Sequence, residues 1–359
     1  MDLIDEKGRL FGLINVIDAV AVFLVLSLLV VGIAFATDDG SPPQELDSRN
    51  VTLDLGSQPS YVVTAIDVGD SYSPSANANL TVLDLHLSPQ GSETRVIVLA
   101  RLSGVATDGS IEYNGAPPRL GRELTIRTGT YNVSGTTRSV DDDFDTGRTD
   151  ILLTTIVDGS VAEAIETGDT YRIGDHEVAH VDTVSVYGTE DADRKRIAVG
   201  LRLRTYDDAN TSYFGSKPVQ VSTELPFRTD SYGFSGTIER VGTTQQRGTP
   251  TTRTITVRLL DVRLAVDESI RPGTSESTRG DTIARITEVD REPVTVVLTD
   301  QGDIYERDHP VNSDLAIRAE LSVRETTSGL VFKQRSLQRG HTIVLDLGSI
   351  TIRATVVEL

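Results

Sequence analysis

Residues 123–136 read ELTIRTGTYNVSGT and residues 224–237 read ELPFRTDSYGFSGT, with eight of fourteen positions identical and no gap. A second match lies upstream of each, VVTAIDVGD at 62–70 and VAEAIETGD at 161–169. A more worn copy closes the chain, VDESIRPGT at 266–274 and TIVLDLGSITIRAT at 342–355. A chain that repeats itself about every hundred residues has to fold as tandem modules. The period is too long for a solenoid turn of roughly 20–50 residues, and each copy is long enough to bury its own core. Three related domains are expected, at 50–140, 150–242 and 253–359.

Within each copy, apolar and polar residues alternate, as in Val51-Thr52-Leu53-Asp54-Leu55, Leu80 to Leu87, Val199 to Arg204, Thr254 to Leu259 and Leu315 to Val323. Such runs predict half-buried strands, with Gly, Asp, Asn and Ser clusters as turns. One stretch breaks the pattern in each copy. In Ser160-Val161-Ala162-Glu163-Ala164-Ile165-Glu166-Thr167-Gly168, a Ser N-cap, a Glu three residues later and a Gly stop predict a one- or two-turn helix with a capping box. The Gly-Asp pairs Gly69-Asp70 and Gly168-Asp169 read as turn residues. The expected fold is mainly β: an N-terminal transmembrane helix, then three small β-barrel or sandwich-like repeats, each with one short helix and about five further strands. Linkers are expected at 37–49, over Val140–Thr149 with its aspartates, and over Gly242–Thr252.

From Phe11 to Ala36 the chain is apolar apart from Asn15, Asp18 and Ser27. The uncharged stretch from Ala19 to Ala36 would span about 27 Å as a helix, close to the bilayer core of roughly 30 Å. Lys7 and Arg9 precede it, and Asp38, Asp39 and Glu45 follow. The positive-inside rule then puts residues 1–10 in the cytoplasm and the copies outside. Ala34-Phe35-Ala36 also fits a signal cleavage site, but the apolar run is long for a signal and the head is net acidic, which favours a retained anchor. Gly12, Asn15 and Asp18 would share one helical face and could contact another membrane subunit; a tolerated boundary carboxylate is the plainer reading of Asp18.

The net charge is −19, and only Lys7, Lys195, Lys217 and Lys333 are lysines among 34 basic residues. An acidic, lysine-poor surface stays hydrated where salt near 1 M screens charge over about 3 Å, as expected of a halophilic archaeon. The same charge argues against nucleic acid as a partner, which needs a basic patch. There is no cysteine, so disulfides, thiolate nucleophiles and Cys-ligated metals are excluded.

The head, LIDEKGRLFGLINVIDAV at 3–20, resembles the N-terminal signature of the domain of unknown function 4330 family. The repeat ends, Arg-Thr-x-x-Tyr-x-x-Ser-Gly-Thr, resemble the close of that family's external domain. The resemblance implies a single-pass envelope protein, here with the external domain in three copies, and brings no activity with it.

Few motifs suggest chemistry. His176-Glu177-Val178-Ala179-His180 matches the zinc-protease string H-E-x-x-H, which needs a helix to bring both imidazoles to one metal. The flanks read as strand, where His176 and His180 lie about 13 Å apart. Asp141-Asp142-Asp143-Phe144-Asp145 lacks the Gly and Glu of a calcium loop and reads as a solvated linker. His86, His309 and His341 stand apart without evident partners. No cofactor is expected. Asn50, Asn79, Asn132 and Asn210 begin glycosylation sequons, four of the chain's eight asparagines. These readings together predict a non-enzymatic, membrane-anchored surface protein that meets the lipid bilayer and an unknown membrane or cell-surface protein, or copies of itself. An adaptor for an export or glycan-assembly complex is the alternative, and a metallopeptidase built on His176, Glu177 and His180 is a remote one.

Overall fold

The computed structural model describes residues 9–10, 14–15, 45–142, 146–208, 210–300 and 303–359. Arg9–Leu10 (β1) pairs antiparallel with Ile14–Asn15 (β2). A helix starting at Phe11 therefore does not hold at Ile14 and Asn15, whose backbone groups are engaged by a ladder instead. The rest of the expected span lies outside the described residues. Among those described, no helix is long and apolar enough to cross a membrane.

The first copy runs β3 (Leu46–Gln58), α1 (Ser60–Val63), β4 (Ser71–Ser75), β5 (Ala78–Gln90), β6 (Glu93–Thr107), β7 (Ser110–Glu112), β8 (Glu123–Arg127) and β9 (Asn132–Val140). The second runs β10 (Thr146–Asp158), α2 (Gly159–Ala164), β11 (Thr170–Ile173), β12 (His176–Gly188), β13 (Arg194–Asp208), β14 (Thr211–Phe214), β15 (Lys217–Pro218), β16 (Glu224–Arg228) and β17 (Gly233–Val241). The third runs β18 (Thr249–Arg263), α3 (Leu264–Asp267), β19 (Ser275–Thr278), β20 (Asp281–Asp300), β21 (Asp303–Thr326), β22 (Gly329–Phe332), β23 (Arg335–Leu337), β24 (Thr342–Asp346) and β25 (Thr351–Glu358). Six or seven strands follow each short helix, rather than five. Thr146–Thr149 and Thr249–Thr252, expected in linkers, belong to strands, where β-branched Thr is well suited to an exposed pleat.

The second copy's strand order is β11-β12-β13-β10-β17-β16, and the third repeats it as β19-β20-β21-β18-β25-β24. The first follows the same order, β4-β5-β6-β3-β9-β8. The opening strand thus lies at the middle of its sheet, between a long hairpin and the final hairpin that carries the recurring motif. Each sheet is mainly antiparallel and curled. The chain divides into two compact units, and the first copy's strands run through both. From residue 45 onward, the smaller unit holds 45–49, 73–80 and 101–118, with Val105 opposite Glu112 in a hairpin and Leu102, Ile111 and Tyr113 buried. The larger holds 50–72, 81–100 and the chain from 119 onward.

Burial follows period two where one face meets water. Leu201 and Leu203 are buried, and Arg202 between them is exposed. The first copy departs from this at Val51–Leu55, where all five residues are buried. Thr52 and Asp54 were expected to face solvent, but Asp54 is covered by the guanidinium groups it pairs with, at 2.8 Å to Arg95 and 2.7 Å to Arg138. The short helices are present but lack the expected capping box: α2 starts at Gly159, its N-cap is Asp158, and no side chain caps it. The helix instead continues directly from β10, and the Gly159 N–H donates to the Asp193 carbonyl at 2.7 Å.

Candidate functional site

The recurring motif closes the curled sheet of the first two copies. Asp169 stands just before the edge strand β11, and Tyr232 stands in the turn between β16 and β17, the opposite edge. The Tyr232 hydroxyl donates to the Asp169 carboxylate. The Tyr131 hydroxyl makes the same bond to Asp70 at 2.5 Å. Burial first, and the carboxylate second, push both phenols far above their usual range, so they remain donors. The preceding threonine sets the turn, since Thr128 and Thr229 Oγ1 accept the Tyr131 and Tyr232 N–H groups at 3.2 Å. The glycine before Asp has φ of 99° at both Gly69 and Gly168, and Gly273 has 92° at the matching place. That backbone region favours glycine. The motif glycines Gly135 and Gly236 sit against Leu55 and Leu153 so tightly that a Cβ would collide. The motif is therefore a device of the fold. In the second copy it adds an aromatic cluster of Tyr171, Phe227, Tyr232 and Phe234 across the same closure.

In the third copy both partners of that bond are replaced together, by Thr274 and Ile350. The closure passes to Glu276 on β19, at the register position of Tyr171 on β11. Its side chain is 2% exposed and meets Lys333, 8% exposed, at 2.6 Å. Glu276 Oε2 also accepts the Asp346 N–H from β24 at 3.1 Å, which joins the two sheet edges. Glu276 Oε1 accepts the Gly188 N–H at 3.2 Å, and Gly188 belongs to the second copy. One carboxylate thus closes its own sheet and fastens it to the preceding copy. Lys195 of the second copy adds an ion pair to Asp346 at 2.5 Å. Arg279 of the third copy donates to the Ala162 carbonyl at 2.7 Å and to the Ile165 carbonyl, at the C-terminal end of α2. Two of the chain's four lysines meet at this seam. Burial lowers the Lys333 pKa, and Glu276 opposes that shift.

The first and second copies meet through a comparable set. Burial alone would raise the Asp54 pKa, but hydrogen bonds from Arg95, Arg138 and the Gly56 N–H outweigh it and hold the carboxyl below its usual value. Arg95 also donates to the Gly215 carbonyl at 3.2 Å, and Arg204 donates to the Leu85 carbonyl at 3.1 Å. His86, 1% exposed, packs against Tyr206 with ring centroids 6.0 Å apart. Neither His86 ring nitrogen has a hydrogen-bond partner among the described residues. Burial first, then the charges of Arg204 and Arg95, lower its pKa to about 4.

The sequence motifs fall elsewhere. His176, Glu177 and His180 lie on strand β12, with His176 opposite Ile173 and His180 opposite Thr170. His180 lies 3.8 Å from both Glu177 and Asp182, and no metal-holding cluster occurs among the described residues. Asp141 and Asn50 join the strand ends of β9 and β3, with the Asp141 N–H donating to the Asn50 carbonyl at 2.8 Å; residues 143–145 are outside the described set. Among the sequon asparagines, Asn132 and Asn210 are exposed, while Asn50 and Asn79 are half-buried. Gly12 and Asp18 lie outside the described residues, and Asn15 is extended in β2, so the helical spacing proposed for the three does not apply at Asn15. Two histidines expected to stand alone are engaged. His309 Nδ1 accepts the Asn312 N–H at 2.9 Å, and His341 Nδ1 lies 3.0 Å from the Ser336 carbonyl oxygen.

Residues 1–72 match the model of a domain of unknown function (DUF4330). The match ends within β4 and does not reach the second and third copies. No curated protein and no solved structure matches the chain.

Proposed function

We propose that the chain is a non-enzymatic, membrane-anchored surface protein whose three β copies form a fastened array that meets partners in the cell envelope. The observation that supports this most is what the fold does with its buried and partly buried charged side chains. Glu276, Lys333, Asp346 and Lys195 join copy to copy or edge to edge, and Arg95, held by Asp54, and Arg204 join the first copy to the second. A chain of modules fixed to one another suits a scaffold or spacer. The uncharged, mainly apolar run from Ala19 to Ala36 supplies the anchor in this reading, and the acidic, lysine-poor composition fits a saline exterior. Cross-linking in native membranes at high salt, followed by purification through this chain, tests the proposal. Co-purification of a defined envelope protein, or of further copies of the chain, is the expected result. Recovery of the chain from the soluble fraction, free of membrane and cross-links, would contradict it.

A further inference from the structure

Beside the seam of the second and third copies lies a cleft of about 430 Å³. Ile156, Phe332, Ile343 and Val344 give it an apolar wall, and Arg196 on β13 and Arg335 on β23 face it from the two copies. Most other charged groups of the lining are already matched. Arg194 lies 3.6 Å from Asp158, Glu190 lies 3.1 Å from Arg353, and Lys333 is held by Glu276. Asp191 also lines the cleft, with one carboxylate oxygen accepting the Asp193 N–H at 3.0 Å. The Arg196 and Arg335 guanidinium groups have no hydrogen bond or ion pair among the described residues. In a chain with 53 acidic and 34 basic residues, carboxylates are abundant, yet the two that line the cleft, Glu190 and Asp191, pair with neither of these arginines. Arg196 is half-buried. Burial and then the nearby Arg335 charge lower its pKa, as expected of a guanidinium lacking a counter-charge.

We infer that this cleft binds a phosphate monoester with an apolar body, the phosphate held between Arg196 and Arg335 and the body against the Phe332–Ile343 wall. Two guanidinium groups suit a dianion, which each can meet through paired N–H donors. The volume falls within the roughly 300–1,000 Å³ of small-molecule sites, which combine apolar walls with a few convergent polar groups. The ligand would stabilise the same seam that Glu276 fastens, because it touches both copies. This inference does not rest on the membrane anchor.

The test is equilibrium dialysis of 1-naphthyl phosphate against the full chain in detergent, with empty micelles as blank. One saturable site per chain is expected. Arg196→Gln and Arg335→Gln should each weaken it tenfold or more, while Arg258→Gln, an exposed arginine on β18, should leave it unchanged. Without ligand, Arg196→Gln should unfold no more easily than the parent, which separates a binding role from a structural one. Tighter competition by soluble dihexanoyl phosphatidate than by phenyl phosphate would assign the ligand to lipid headgroups, and the reverse order to free organic phosphates; either order supports the site. No saturable binding, equal binding by both arginine variants, or equal binding of uncharged 1-naphthol would overturn it.

Discussion

Glu276→Ala is the most informative single substitution in this fold. The Glu276 side chain is 2% exposed, and its removal leaves the Lys333 ammonium, 8% exposed, without a counter-charge. It also takes the acceptor from the N–H groups of Gly188 and Asp346. Breaking a buried ion pair from one side costs about 3–5 kcal/mol. An orphaned buried donor costs about 1–3 kcal/mol, but contributions among contacting groups do not add. A net loss of about 4 kcal/mol is therefore expected. The loss should fall on the third copy and its seam, so urea unfolding followed by far-ultraviolet circular dichroism should acquire an early phase. Hydrogen exchange at Gly188 and Asp346 should quicken with it. Adding Lys333→Met to Glu276→Ala removes the stranded charge and should restore about 2 kcal/mol, since apolar groups can replace a buried pair at little cost. A loss under about 1 kcal/mol for the single variant, or no recovery in the double variant, would refute the reasoning.

Other expectations follow from the same contacts. Tyr232→Phe removes the bond to the Asp169 carboxylate and should destabilise the second copy by about 1.5–3 kcal/mol, read from its denaturation midpoint; the equivalent Ile350→Val should lose only packing. His86 has a folded pKa of about 4 against roughly 6.5 when unfolded. The unfolded state therefore binds the extra proton between those values, and stability is complete above pH 6.5 and falls as pH drops toward 4. The loss amounts to about 3 kcal/mol, and His86→Gln should flatten that limb of the stability profile. If the chain is glycosylated, mass spectrometry should find the sugar at exposed Asn132 and Asn210 ahead of half-buried Asn50 and Asn79. Modification confined to the latter pair would reverse that order.

Much of the fold was legible because it rests on local signals. Alternation gave the strands, the Gly-Asp turns appear with φ near 99°, and the threefold repetition predicted three equivalent sheets. The strand flanking of His176–His180 likewise anticipated its placement on β12. What escaped depends on partners distant in sequence. Asp54 looked like an outward residue of a half-exposed strand, because Arg95 and Arg138, which bury it, lie 41 and 84 residues away. Glu276, in Ser-Glu-Ser-Thr, resembles any exposed strand carboxylate. Only its register with Tyr171, together with the joint loss of the Asp and Tyr partners in the third copy, marks it as the replacement closure. Ser160 offered a capping-box pattern, but a helix that continues straight from a strand already has its entry fixed by that strand. The cleft arginines carry no local signal, since their meaning lies in their lack of an ion-pair partner.

The absence of cysteine makes a direct test of the central claim free of background. Single cysteines at Asp2→Cys, before the apolar run, and at Ser231→Cys, exposed in the second copy, should be treated on intact cells with a membrane-impermeant maleimide. A membrane-anchored protein with external β copies predicts labelling at position 231 and protection at position 2 until the cells are broken. Protection of both sites in intact cells, or labelling at position 2 alone, would contradict the account.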